Sequence, residues 1–196
     1  MSSYQSLVFM VHNITISGKI CTGTSTLAKG LIQKLGWSMW SAGDFQREYV
    51  QKMGIDLEKT SLRSDEHERE IEFGMRKRLQ SEEHIILEAW LGGFVAQRLD
   101  GVLKVLLVTP DDLRIDRLVN RDNITVDEAK AHMRKREEEN HIKWSKLYAN
   151  EWREWVGEKP IDFYEPSLYD LVIDTYSHSK TETLEKVLEK LNVSTL

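Results

Sequence analysis

Apolar, β-branched runs of strand length recur along the chain at 14–17, 37–41, 85–88, 103–109 and 171–174, with charged or helical-period segments between them. Alternation of this kind predicts an α/β fold, a mainly parallel sheet covered by helices on both faces. In such a sheet ligands sit at the carboxyl ends of the strands. Those ends are the loop after Ser17, the group Ser41-Ala42-Gly43-Asp44, Glu88 and the segment after Thr109. No repeat or low-complexity tract interrupts the pattern, and three prolines, Pro110, Pro160 and Pro166, punctuate it.

Two segments read as insertions. The stretch 44–83 is helical in pattern and dense in charge, and its most polar part, Ser64-Asp65-Glu66-His67-Glu68-Arg69-Glu70, reads as a solvated helix face. His67 lacks metal-ligand spacing. The second runs from Arg117 through Arg134-Lys135-Arg136-Glu137-Glu138-Glu139 to Trp144, Trp152 and Trp155. These tryptophans suit core packing, their commoner use, or stacking on a base.

The first strand breaks into Gly18-Lys19-Ile20-Cys21-Thr22-Gly23-Thr24-Ser25-Thr26 and then into the helical Leu27-Ala28-Lys29-Gly30-Leu31-Ile32. Two glycines with four residues between them let the backbone fold back and aim N–H groups inward, into the hollow faced by the helix's positive end. The spacing fits the phosphate-binding loop, with Thr24 where its lysine stands and Ser25 as the magnesium-bridging hydroxyl. Four hydroxyls crowding the helix start favour phosphate over a structural turn. Lys19 is either a substitute cation or a solvated side chain. The single cysteine, Cys21, excludes an internal disulfide and a cysteine-based zinc site. It reads as a small side chain packed under the loop, with a low-pKa, oxidisable thiol as the alternative.

At 196 residues, 40% hydrophobic and 30% charged, the chain is one domain with a real core and inserted flaps. A net charge of -5 gives no case for a nucleic-acid partner, whereas a mononucleotide site needs only locally placed arginines. The run Leu7-Val8-Phe9-Met10-Val11 is too short to span a bilayer and no lysine or arginine precedes it, so no membrane partner and a cytoplasmic location are expected. No His-Glu-x-x-His or nucleophile-elbow pattern supports a hydrolase.

Further features join the loop. Ser41-Ala42-Gly43-Asp44-Phe45-Gln46-Arg47 puts a guanidinium about one helical turn past the second strand, suited to bidentate capture of phosphate. Ile85-Ile86-Leu87-Glu88 ends a strand in a carboxylate of the kind that stands beside magnesium. Arg117 and Arg121 lie four apart, Arg136 and Lys143 seven apart, each pair on one helix face. In this order the pieces resemble the nucleoside monophosphate kinases, most closely the archaeal-type cytidylate kinases, from Ile14 to the C-terminal helix. That group's loop commonly ends Gly-Thr-Thr-Thr, close to Gly23-Thr24-Ser25-Thr26. It also shares the Ser-Ala-Gly-acidic-x-x-Arg pattern, and Asp170-Leu171-Val172-Ile173-Asp174-Thr175 resembles its last strand.

The resemblance implies a P-loop NTPase fold, three layers α/β/α around a five-stranded parallel sheet of order 2-3-1-4-5. It divides the chain into a core at about 1–43, 84–116 and 160–196, an NMP-binding insertion at about 44–83 and a lid at about 117–159. It also implies transfer of the γ-phosphoryl of ATP to a nucleoside monophosphate, CMP or dCMP foremost, with Mg2+. Gly18, Lys19, Ile20, Cys21, Thr22, Gly23, Thr24, Ser25 and Thr26 would then wrap the ATP phosphates, and Arg117 would lie over the adenine. Ser25 and Glu88 would serve the metal, and Ser41, Asp44 and Arg47 the acceptor. Arg121, Arg136 and Lys143 would neutralise charge on the moving phosphoryl group. The chain departs from the family at Glu88-Ala89-Trp90, where Glu-Gly-Arg is expected, and at Lys143-Trp144, where an Arg-Tyr pair is expected. These departures motivate two other expectations, a nucleotide-binding sensor or partner module without kinase activity, and a kinase for a different small acceptor. A monomer is expected.

Overall fold

The computed structural model describes residues 11–55 and 62–191, so most of the apolar run at 7–11 lies outside the described residues. Five strands form one sheet: β1 (Asn13–Gly18), β2 (Ser38–Ser41), β3 (Ile85–Glu88), β4 (Val102–Val108) and β5 (Leu171–Asp174). Every pairing is parallel and the order is β2-β3-β1-β4-β5, as the resemblance implies. β3 and β5 coincide with their apolar runs. β2 starts one residue late, because Gly36 closes the preceding helix in the left-handed conformation and Trp37 leads out of it. β4 runs 102–108 rather than 103–109; Gly101 turns the chain into it early and Pro110 opens the next helix.

Between the strands lie α1 (Thr24–Leu35), α2 (Ala42–Met53), α3 (Asp65–Ser81), α4 (Gly92–Val95), α5 (Asp111–Asp122), α6 (Val126–Leu147) and α7 (Ala149–Trp155), and α8 (Lys180–Lys190) follows β5. Hydroxyl caps set several starts. Ser41 Oγ accepts from Asp44 N, so α2 begins directly at the end of β2 and carries the Ser-Ala-Gly-Asp motif into its first turn. α6 and α8 open on reciprocal capping boxes, Thr125 with Glu128 and Ser179 with Glu182.

Alternation along the strands makes two cores. Ile14, Ile16, Ile86, Leu103, Val105 and Leu107 face α1 and α8, against Leu27, Ala28, Leu31, Val187 and Leu188. Ile85, Leu87 and Leu106 face the opposite layer, an aromatic cluster of Phe94, Trp144, Tyr148, Trp152 and Phe163. Trp144 and Trp152 are buried and Trp155 half-buried beside them, so the tryptophans of the second insertion pack the core rather than stack on a base. Among the described residues no helix is long and apolar enough to cross a membrane.

A polar seam runs through this layer where α3 meets α6. Arg63, just ahead of α3, is 3% exposed, and its Nε lies 2.6 Å from Glu68 Oε1. Glu68 Oε2 accepts from Trp144 Nε1 at 2.8 Å, and the Arg63 guanidinium donates to Asn140 Oδ1 at 2.7 Å. One turn further along α3, Glu72 is buried. Burial first, and the neighbouring Glu68 second, push its carboxyl well above the ordinary range against the opposing pull of Arg63. The folded chain therefore holds a proton that the unfolded chain releases at ordinary carboxylate pH, so this group's contribution to stability declines as pH rises above about 4.5. Glu72→Gln, which cannot ionise, is expected to raise Tm by about 3 °C at pH 8 and to leave it unchanged near pH 4, as read by thermal melts across that range.

Candidate active site

The loop from Gly18 to Gly23 leaves β1 and enters α1. A Cβ at Gly18 would lie 2.3 Å from Thr22 Oγ1 and 3.0 Å from the Leu107 carbonyl, so only glycine fits there. Gly23 has φ 101°, the left-handed region that favours glycine, and its carbonyl accepts from Thr26 N and Leu27 N to start the helix. The other carbonyls of the loop are also taken. Lys19 O accepts from Thr22 Oγ1 at 2.9 Å, Ile20 O from Arg114 Nε at 2.8 Å, Cys21 O from Arg117 at 3.0 Å and Thr22 O from Thr175 Oγ1 at 3.0 Å. Five consecutive carbonyl oxygens are thus engaged. The backbone N–H groups are what the loop has left to offer, and together with the α1 dipole they make an anion site.

Register brings a carboxylate to this site. Glu88, the last residue of β3, pairs across the sheet with Ile16 of β1. Its Oε1 accepts from Thr24 Oγ1 at 2.7 Å and from Ser25 Oγ at 2.6 Å. Thr24, standing where a phosphate-loop lysine would, thus ties the first turn of α1 to the end of β3.

A cavity of about 320 Å3 opens over these groups, and most of the residues expected from the sequence line it: Gly18, Lys19, Ile20, Cys21, Gly23, Thr24, Ser25, Thr26, Ser41, Arg47, Glu88, Arg117, Arg121 and Arg136. Ile16, Gly43, Ala89 and Trp90 complete its lining. Lys19 Nζ lies 3.7 Å from Glu137 of α6. Arg117 also reaches Thr175, through its hydroxyl and its carbonyl. Arg121 grips the adjacent Asp122 with both arms of its fork, which holds the aspartate below the usual carboxylate range. Arg47 is half-exposed and pairs with Asp44.

Three expected residues stand elsewhere. Thr22 is buried behind the loop, and the Asp44 carboxylate is turned to Arg47 rather than to the cavity. Lys143 does not line the cavity: its ammonium donates to the Arg63 carbonyl and lies 3.3 Å from Asp65, which corrects its expected placement with Arg136. The Cys21 thiol is pushed up by partial burial, which outweighs the nearby Arg121, so the packed reading holds over the reactive one.

One residue here escaped the sequence reading. Arg114 has the bulkiest of the fully buried side chains, and besides Ile20 O it reaches Asp111 and Glu137. It fastens the phosphate loop to α5 and α6 at once, yet in sequence it is one more charge in a charged helix. Arg114→Met leaves Glu137 with Lys19 at 3.7 Å as its remaining ion-pair partner. The variant is expected to lose about 3 kcal/mol of stability in denaturant melts and to bind ATP at least several-fold more weakly by calorimetry. Unchanged ATP affinity would mean the loop keeps its shape without this clamp.

Comparison with known proteins gives a consistent picture. Residues 13–177 match the model of the cytidylate kinase-like family. The chain is 35% identical over 180 residues to the cytidylate kinase of Methanopyrus kandleri, covering 87% of this chain and 88% of that one. It is 33% identical over 165 residues to the cytidylate kinase of Sulfolobus acidocaldarius, with 83% and 84% covered. Among solved structures, a gluconokinase from Sinorhizobium meliloti superposes with a TM-score of 0.58 at 12% identity, covering 93% of both chains. A shikimate kinase from Acinetobacter baumannii in complex with shikimate superposes at 0.55 and 17% identity, covering 94% of both; these likenesses concern the fold alone. With its phosphate loop, the acid paired to it and a family match spanning nearly the whole chain, this protein belongs to the cytidylate kinase-like family, as an enzyme of the nucleoside monophosphate kinase kind.

Proposed function

We propose that this chain transfers the γ-phosphoryl group of ATP to CMP or dCMP, with Mg2+ held at Ser25 and Glu88. The observation that carries the reading is one cavity in which the phosphate loop, Arg47 of α2, Arg117 and Arg121 of α5 and Arg136 of α6 meet. The relatives' shared name, cytidylate kinase, supports the choice of acceptor.

The donor set suits the ion. Glu88 and Ser25 offer a carboxylate and a hydroxyl, and among the described residues no cluster of three or more histidine, cysteine or acidic side chains forms an all-protein cage. Mg2+ is commonly held this way, with substrate phosphates and water as its other ligands. When bound, it would supply positive charge against the donor phosphates.

The chain's own residues do the rest. The N–H groups of the loop hold the donor phosphates. A second cavity of about 280 Å3, across Gly23 from the first and lined by Thr26, Leu27, Arg117, Thr175 and His178, takes the adenine against the Arg117 guanidinium. Arg47 exchanges its exposed pairing with Asp44 for a bidentate grip on the acceptor phosphate. In-line transfer between two held phosphates needs positioning and charge more than covalent help, and Arg121 and Arg136 supply charge at the transfer point. Closure of the helical arms over the cavity keeps water from competing as the acceptor.

A coupled ADP-release assay over CMP, dCMP, UMP, AMP, GMP and dTMP is expected to show turnover confined to CMP and dCMP above a no-acceptor control. Turnover with a different monophosphate would move the acceptor, and none at all with ATP still bound would favour a sensor. Arg47→Ala is expected to raise the acceptor KM about 30-fold while the ATP KM stays within about twofold. A parallel fall in ATP affinity would count against its assigned place.

A further inference from the structure

The smaller cavity, the one that takes the adenine in the reading above, is walled on one side by the turn between β5 and α8, and that turn is built to aim one ring. Asp174 ends β5 and is bonded three times. Its Oδ1 accepts from Tyr176 N at 2.9 Å, its Oδ2 from Ser177 Oγ at 2.7 Å, and its carbonyl oxygen lies 2.8 Å from His178 Nδ1. Ser179, the next residue, caps α8 through its box with Glu182. His178 is thereby held between the last strand and the last helix, and it lines the cavity.

The bond to Asp174 decides where the ring carries its proton. A carbonyl only accepts, so Nδ1 donates to it, and in the neutral ring Nε2 is then a bare acceptor. Nε2 has no hydrogen-bond partner among the described residues. The other polar side chains around this cavity are committed or do not discriminate. Thr175 Oγ1 gives its proton to Thr22 O and so receives from Thr109 and from Arg117. Thr22 and Thr183 are buried and give theirs to the carbonyls of Lys19 and Ser179. The Thr26 hydroxyl both donates and accepts, and Lys180, exposed in the first turn of α8, only donates.

We propose that His178 reads the edge of the donor base and selects adenine over guanine: Nε2 accepts from the exocyclic amine at position 6, where guanine presents a carbonyl oxygen. This rests on the kinase reading above and deepens it, by naming the group that makes ATP rather than GTP the donor. Two acceptors that face each other repel, and each gives up a bond to water without replacement, so the wrong base is rejected more strongly than the right one is held. Arg117 stacks on either purine and supplies affinity without choice.

The test is calorimetry on the full chain with ATP, GTP and purine riboside triphosphate, which lacks the amine at position 6. The chain is expected to bind ATP about tenfold more tightly than purine riboside triphosphate, and GTP more weakly than ATP by at least that factor. Equal Kd values for ATP and either of the other two overturn the proposal, and this comparison needs no variant. His178→Leu is expected to bind ATP and purine riboside triphosphate within about twofold of each other, near the parent's Kd for the latter. A variant that keeps the parent's preference also overturns it, and if the variant fails to fold the parent's three affinities decide. Binding is read without turnover, which separates the two readings. A chain that prefers ATP in this way but phosphorylates no monophosphate loses the kinase reading and keeps this one. A chain that phosphorylates CMP from ATP and GTP alike keeps the kinase reading and loses this one, and a chain that binds none of the three nucleotides loses both.

Discussion

The capture of five successive backbone carbonyls, Lys19 to Gly23, is the constraint on which the rest of this molecule depends. A peptide loop carries donors and acceptors in equal number, and it becomes an anion site only when the acceptors are occupied from the other side. Three of the five are taken by groups from far along the chain: Arg114 and Arg117 on α5, and Thr175 just past β5. Their arrival requires β4 to lie beside β1 and β5 beside β4, which the strand order provides. Glu88 completes the arrangement from β3 on the other flank. Sheet order is thereby translated directly into the chemistry of one loop.

Charge is arranged on the same local principle. The chain as a whole is acidic, at -5, yet its cavity is lined by arginines from three helices. They differ in what holds them. Arg117 is fastened to two carbonyls and a hydroxyl, partners that orient a guanidinium and leave its charge intact. Arg47 and Arg121 instead pair with neighbouring aspartates at exposed positions, where an ion pair is weak and an incoming phosphate competes well. One of these three cations is thus fixed and two are exchangeable.

The strands and the phosphate loop were legible in the sequence because each rests on local chemistry, β-branched runs, glycines at a fixed interval and hydroxyls at a helix start, whereas the strand order came from the family resemblance. Boundaries moved by a residue where Gly36 and Gly101 turned the chain in the left-handed conformation. What sequence could not show was direction over distance. Arg136 and Lys143 share a helix face, but seven residues of helix span roughly 10 Å, so the first reaches the cavity and the second has passed on to the start of α3. Arg114 was hidden for the opposite reason. Its burial follows from the meeting of α5, α6 and the loop, and nothing in its neighbours Leu113 and Ile115 distinguishes it from the arginines on either side.

The seam between α3 and α6 has a mechanical meaning. Separating the two helices would break the bonds that the buried Arg63–Glu68 pair, 2% and 0% exposed, makes to Asn140 and Trp144 of α6, whereas moving them together leaves those bonds intact. Arg69 of α3 adds a second rivet, to Glu151 of α7 and the Leu147 carbonyl. The arm after β2 and the arm after β4 are therefore riveted into one lever. Two stretches that read as separate insertions in the sequence are thus joined by side chains in the fold.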